Sequence, residues 1–214
     1  MSQTAGRGGR GLFIAFEGGD GAGKSTQIAL LAERLEARGL PVLRTREPGG
    51  TPKGEALRGL LLGGAQDWTP LEEAALMSLA RGAHVAEKIR PALAQGKIVL
   101  SDRFVDSTRA YQGASGLASE KIEALHALHS EGLEPDLTLI LDMDPSEAMT
   151  RAARRGSADR FEARGLAYQQ ELRRRFLALA FSAPERRRLV DARGAAEEVA
   201  ERVWAAARPL VEAS

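Results

Sequence analysis

The sequence contains no cysteine. That excludes a disulfide framework, a thiolate zinc site, an iron–sulfur cluster and a cysteine nucleophile. It also contains no asparagine, so the Asn-Lys-x-Asp run by which switch GTPases read guanine is missing. Histidine is scarce: His84, His126 and His129 are the only three, none in metal-ligand spacing with flanking carboxylates. There is no long hydrophobic run; Leu137–Leu141, interrupted by Thr138, is far too short to cross a bilayer. Neither sign of charge is in excess: 30 basic against 29 acidic residues leave a net charge of +1. No global field therefore draws the chain to nucleic acid or to a membrane. Met1–Arg10 is rich in Gly, Arg and Ser, lacks the apolar segment of a secretory signal, and reads as a disordered tail. The expectation is a soluble cytoplasmic protein.

What is present is an ordinary globular composition, 43% hydrophobic and 28% charged over 214 residues. At roughly 150 residues per domain, that length fits one domain spanning 11–214. Strands and helices alternate. Leu12–Glu17 is a short apolar run ending in glycines and reads as a buried strand. Lys24–Arg38 carries Ile28, Leu31 and Leu35 at helical spacing and is closed by Gly39. Pro41–Arg44 is a second strand, followed by a Pro/Gly-rich loop, Thr45–Gly54. Thr69, Pro70 and Glu72 form a capping box that opens a helix running to about Ala94. Ala75, Leu79, Gly82, Ala86, Ile89 and Leu93 read as its core stripe, with Met77, Arg81 and His84 opposite. Lys97–Ser101 and Asp136–Leu141 are further strands. Asp144-Pro145-Ser146-Glu147 repeats the capping pattern, Arg188–Val190 fits a short fifth strand, and a last helix carries Ala196, Val199, Val203, Ala206 and Leu210. Alternation of this kind implies an α/β fold: a parallel sheet covered by helices on both faces.

Gly18–Ser25, GGDGAGKS, matches G-x-x-x-x-G-K-[ST] between an expected strand and an expected helix. Glycines there let consecutive backbone N–H groups wrap a phosphate, and the helix N-terminus adds about half a positive charge. Lys24 would reach the β and γ phosphates of a nucleotide, and Ser25 would offer a hydroxyl to Mg²⁺. With guanine recognition missing, the purine is read as adenine. Asp20 within the loop either lies solvated on its outer side or accepts a hydrogen bond from a hydroxyl of a second substrate. Asp102-Arg103-Phe104 follows the third strand; Asp102 suits a Mg²⁺ site, and Arg103 suits bridging of two sets of phosphates. If a helix follows, Thr108, Tyr111 and Gln112 share one face. Met77, Arg81 and His84 form either a solvated stripe or a wall for a flat heterocycle. Arg151–Arg164 holds five arginines around Gly156 and Ser157; it is either a charged turn or a mobile lid at about 150–163, with Arg151 and Arg155 facing the phosphates.

The segments FEGGDGAGKST (Phe16–Thr26), TREPGGT (Thr45–Thr51), SDRFVDSTRAYQG (Ser101–Gly113), PDLTLILD (Pro135–Asp142) and RRGSADRFE (Arg154–Glu162) together resemble the bacterial thymidylate kinases in order and spacing. The likeness runs over nearly the whole chain from Leu12. It implies a three-layer nucleoside-monophosphate-kinase fold, with a five-stranded parallel sheet and an Arg-rich lid, and a homodimer. It further implies γ-phosphoryl transfer from ATP to dTMP with Mg²⁺. By position, Gly18, Gly19, Asp20, Gly21, Ala22, Gly23, Lys24, Ser25 and Thr26 would bind ATP, with Ser25 and Asp102 serving the metal. Asp20 would meet the 3′-hydroxyl of dTMP, Arg46 and Arg103 would hold its phosphate, and Glu47 and Pro48 would shape that loop. Arg81, Thr108 and Gln112 would meet the base, Tyr111 the sugar, and Met77 would stand where the family commonly stacks an aromatic ring. Lys24, Arg103, Arg151 and Arg155 would supply the catalytic charge. Two other readings stay open at this level: a deoxynucleoside kinase with Glu17 as base, and a P-loop regulatory ATPase.

Overall fold

The computed structural model describes residues 10–63, 66–153 and 164–213. Residues 1–9 of the expected tail and most of the expected lid, Arg155 included, lie outside the described residues; Arg10, counted in the tail, pairs with Asp136. Five strands form one parallel sheet: β1 (Phe13–Glu17), β2 (Val42–Arg46), β3 (Ile98–Asp102), β4 (Leu137–Asp142) and β5 (Arg187–Asp191), in the order β2-β3-β1-β4-β5. β1 is central and wholly buried because both its faces are covered. Ile14 and Phe16 point into one layer with Leu100, Leu139 and Leu141. That layer is closed by α1 (Lys24–Glu36) and α9 (Ala196–Ala213), which contribute Leu31, Leu35, Val199 and Val203. Phe13 and Ala15 point into the other layer with Val99, Phe104 and Val105. The twofold alternation of a strand assigns the two sets. Beyond Phe104, α5 (Val105–Ala114) and α8 (Gly165–Ser182) complete that face through Ala110, Tyr111, Leu172 and Phe176.

The expected helix from Thr69 is divided. α3 (Pro70–His84), opened by the Thr69–Glu72 capping box, runs into a π turn, Val85–Ile89, and then α4 (Arg90–Ala94). The unbroken stripe assigned from sequence does not hold: Ile89 and Leu93 are buried, but within α3, before the π turn, a different face points inward. Leu79 is 46% exposed and Ala86 is exposed, whereas Ala74, Ser78, Arg81 and His84 are buried. The inward face of α3 is polar: Glu73, Arg81 and His84 are buried there with hydrogen-bond partners on other elements. Three further helices were not marked by the sequence pattern: α2 (Pro52–Leu62), α6 (Ser119–Ser130) and α8. α2 carries the same Thr-Pro opening as α3, with Thr51 accepting from the Gly54 N–H; Gly54 and Gly59 obscured it. α7 (Pro145–Ala153) begins where the second Asp-Pro signal put it.

Candidate active site

The loop between β1 and α1 is shaped by what surrounds it. Gly21 has φ +87°, and a Cβ there would lie 2.0 Å from the carbonyl oxygen of Ala148 in α7. Only glycine satisfies both the backbone and the space. Lys24 is buried, and its ammonium donates to the carbonyls of Gly18 and Gly19 at 3.0 and 2.8 Å. α1 carries no acid in its first turn, so its N-terminal N–H groups remain an anion site. At the mouth of the loop, Ser25 Oγ donates to Asp102 Oδ2 at 2.7 Å. These are hard oxygen donors from two elements, the donor chemistry of a Mg²⁺ site that takes only one or two protein oxygens.

Asp20 is neither solvated nor isolated; its side chain is 22% exposed and locked in a network. Arg103 Nη2 donates to its Oδ1 at 2.5 Å and the Tyr111 hydroxyl to its Oδ2 at 2.8 Å. Burial would raise the Asp20 pKa, but the Arg103 guanidinium and the Lys24 ammonium outweigh it and hold the carboxyl far below the usual carboxylate range. Asp20 thus separates two cations that would otherwise repel each other at a phosphate site. Burial and the nearby Arg103 both lower the pKa of Lys24. Arg103 also donates to the Gly18 carbonyl at 3.2 Å, to Ser107 Oγ at 3.0 Å and to the Tyr111 hydroxyl at 3.0 Å. Its backbone sits at φ +70°, a conformation costing about 1–3 kcal/mol outside glycine. The Arg103 N–H bond to the Phe16 carbonyl, at 2.9 Å, and the Ser101 Oγ bond to the Arg103 carbonyl, at 2.8 Å, hold it there.

At the other end, Arg81 is almost wholly buried. Its Nε donates to Glu47 Oε2 at 2.8 Å, and its Nη2 donates to the Phe104 carbonyl at 3.2 Å and to Thr108 Oγ1 at 3.0 Å. Burial would raise the Glu47 pKa; Arg81 and His84 reverse the shift and lower it. His84 contacts Glu47 Oε1 at 2.9 Å and Thr45 Oγ1 at 2.6 Å. It therefore stands behind Arg81 and does not line the cavity, against the expectation that grouped it with Met77. Gln112 Nε2 donates to the buried Glu73 at 3.0 Å.

These groups surround one cavity of about 450 Å³. Asp20, Gly21, Gly23, Lys24, Ser25, Thr26, Arg46, Glu47, Pro48, Met77, Arg81, Asp102, Arg103, Thr108, Tyr111 and Gln112, all marked from sequence, line it together. Gly18, Gly19 and Ala22 lie on the far side of the loop, lining a smaller hollow under α7. Arg46 is paired with Glu55 at 3.0 Å on the cavity rim. Arg58 also lines the cavity and donates to the Pro48 carbonyl at 2.9 Å. Sequence reasoning missed it because no helix was assigned over Pro52–Leu62, the loop reading ending at Gly54. Arg151 is exposed on α7 and is not among the cavity's lining residues. Glu17, the alternative base, faces away: its carboxylate accepts from the Phe104 and Ser107 N–H groups and from the Ser107 hydroxyl, fully buried. It is not presented to a substrate hydroxyl.

A phosphate cradle after the central strand, an aspartate ending the neighbouring strand, and a single cavity that runs from the cradle to Arg81 and Gln112 define a P-loop nucleoside-monophosphate kinase. The family model for thymidylate kinase matches residues 16–203. A thymidylate kinase of Caulobacter vibrioides is 52% identical over 185 residues, 86% of this chain and 89% of that protein. One of Cereibacter sphaeroides is 47% identical over 211 residues, 95% and 97% of the two chains. The crystal structure of thymidylate kinase from Ehrlichia chaffeensis superimposes with a TM-score of 0.76 at 34% identity, covering 93% of this chain and 99% of that one. The chain belongs to the thymidylate kinase family and is a phosphotransferase. No helix among the described residues is long and apolar enough to cross a membrane.

Proposed function

We propose that the protein transfers the γ-phosphoryl group of ATP to dTMP, giving dTDP and ADP for dTTP synthesis, through a single kinase domain, 11–214, with its lid at about 150–163. The observation that carries this reading is the composition of the cavity wall. Between the cradle and Arg81 it presents Lys24, Arg46, Arg58 and Arg103; its carboxylates Asp20, Glu47 and Asp102 are each held by donors, and Glu17, the alternative base, is turned away. A phosphate oxygen of the acceptor is already an anion and needs no base; the work left is alignment and charge neutralisation. Residues 18–26 hold the donor phosphates. Arg46, Arg58 and Arg103 hold the acceptor phosphate, with Glu47 and Pro48 shaping that wall. Asp20 meets the 3′-hydroxyl. Tyr111 lies under the sugar, where its ring disfavours a 2′-hydroxyl. Arg81, Thr108, Gln112 and Met77 surround the base. Arg151 and Arg155 add charge from the lid. Ser25 and Asp102 hold Mg²⁺, which neutralises the transferring phosphates when bound. The Ser25–Asp102 contact at 2.7 Å supports this assignment. Exposed Leu79 of α3 and Leu128 of α6, on helices packed together, support a homodimer. The protein acts in the cytoplasm, without nucleic-acid or membrane partners.

ADP release with ATP·Mg²⁺ and one acceptor at a time tests the reading. Fast turnover is expected with dTMP, weaker with dUMP, and negligible with UMP, thymidine or no acceptor. Hydrolysis indifferent to the acceptor, or turnover with thymidine alone, would overturn it.

A further inference from the structure

Glu73 is a carboxylate in the first turn of α3, nearly fully buried, and it takes no part in the scheme above. Its Oε2 accepts from Gln112 Nε2 at 3.0 Å. Its Oε1 accepts from Arg164 Nη2 at 3.2 Å. Arg164 is itself fixed, donating through Nη1 to Ser115 Oγ at 2.7 Å and stacking 4.9 Å from the Tyr168 ring centroid. A carboxylate can only accept, so the donor end of the Gln112 amide must face Glu73. That turns the amide's carbonyl end toward the cavity that Gln112 lines.

We propose that Glu73 is a positioning residue: it fixes the Gln112 amide in one orientation, and so sets which pyrimidine edge the cavity accepts. Arg164 occupies the other carboxylate oxygen, so that Oε2 is the one that holds Gln112. Arg81 can only donate. A base between Arg81 and Gln112 therefore meets a donor and an acceptor, which matches a carbonyl next to a ring N–H, the edge of thymine and uracil. Cytosine carries an amino group next to a bare ring nitrogen, the reverse pattern. With an amide in place of the Glu73 carboxylate, Gln112 could turn either way and the distinction would weaken.

The proposal rests on dTMP as acceptor, and the test separates the two. Steady-state kinetics with dTMP, and inhibition by dCMP competing with it, are measured for the wild type, Glu73→Gln and Arg164→Gln; circular dichroism checks folding. In Glu73→Gln the KM for dTMP is expected to rise about tenfold with kcat within about twofold, and dCMP to bind about tenfold more tightly relative to dTMP. Arg164→Gln, altering a half-buried side chain at the start of α8, is expected to shift the same ratio in the same direction by a smaller factor, and serves if Glu73→Gln does not fold. An unchanged dTMP-to-dCMP ratio in whichever variants fold, or a loss confined to kcat, overturns the proposal. A wild type that does not turn over dTMP overturns the substrate reading and takes the proposal with it.

Discussion

Replacing Glu17 by glutamine probes a carboxyl group whose titration burial displaces strongly. Burial, reinforced by Asp106 and opposed by Arg103, pushes the Glu17 pKa from 4.5 up to about 7. In the unfolded chain the group titrates near its ordinary value. Between the two values the folded protein holds a proton that the unfolded chain has lost, so stability falls as pH rises. The gap from 4.5 to about 7 is worth roughly 3 kcal/mol, of which about 2.5 kcal/mol falls between pH 5 and pH 8. Glutamine keeps the shape: its carbonyl can still accept from the Phe104 and Ser107 N–H groups, at 2.8 and 3.0 Å in the wild type. Its amino group can donate to Ser107 Oγ, which already accepts from Arg103 and has a second lone pair. Urea unfolding of both proteins, followed by the fluorescence of Trp68 and Trp204, reads the difference. The wild type is expected to lose about 2.5 kcal/mol more than Glu17→Gln on going from pH 5 to pH 8. Equal losses in the two proteins would refute the assignment of that proton to Glu17.

Gly21→Ala places a Cβ 2.0 Å from the Ala148 carbonyl at φ +87°, so a loss of at least about 2 kcal/mol and of ATP binding is expected by calorimetry with and without nucleotide. Arg81→Lys exchanges a fork that spans Glu47, the Phe104 carbonyl and Thr108 for a single ammonium. The KM for dTMP is expected to rise at least about tenfold with a smaller change in kcat; the opposite split would remove Arg81 from the base pocket. Asp102→Asn keeps the side-chain shape but not its charge. The Mg²⁺ concentration giving half-maximal activity at fixed ATP is expected to rise about 10- to 100-fold, and an unmoved midpoint would place the metal elsewhere.

Local signals carried most of the fold. The glycine-rich turn after an apolar run, the Thr-Pro-x-Glu box at Thr69 and the Asp-Pro start at Asp144 each encode their structure within a few residues, and the structure follows them. The fifth strand was legible because Arg187–Asp191 is short but bounded. α2 was not, since two glycines weaken its propensity and its helicity is decided by packing on α3. The buried face of α3 was misassigned for a related reason. Hydrophobic periodicity assumes that inward means apolar, whereas Glu73, Arg81 and His84 are buried because Gln112, Glu47 and Thr108 compensate them from other elements.

The sequence by itself determined the chemistry on offer: a glycine-rich loop closed by Lys24 and Ser25, an aspartate and an arginine after the third strand, and a cluster of arginines at 151–164, because those depend on residue type and short spacing. Only the tertiary structure decided how the charges are used. It took 83 residues of separation between Asp20 and Arg103, 34 between Glu47 and Arg81, and 39 between Glu73 and Gln112 to bring each pair into contact. The same packing turned Glu17 away from the cavity. Which carboxylate neutralises, which orients and which is hidden is a property of burial and partners, and those exist only once the sheet and its helices have closed.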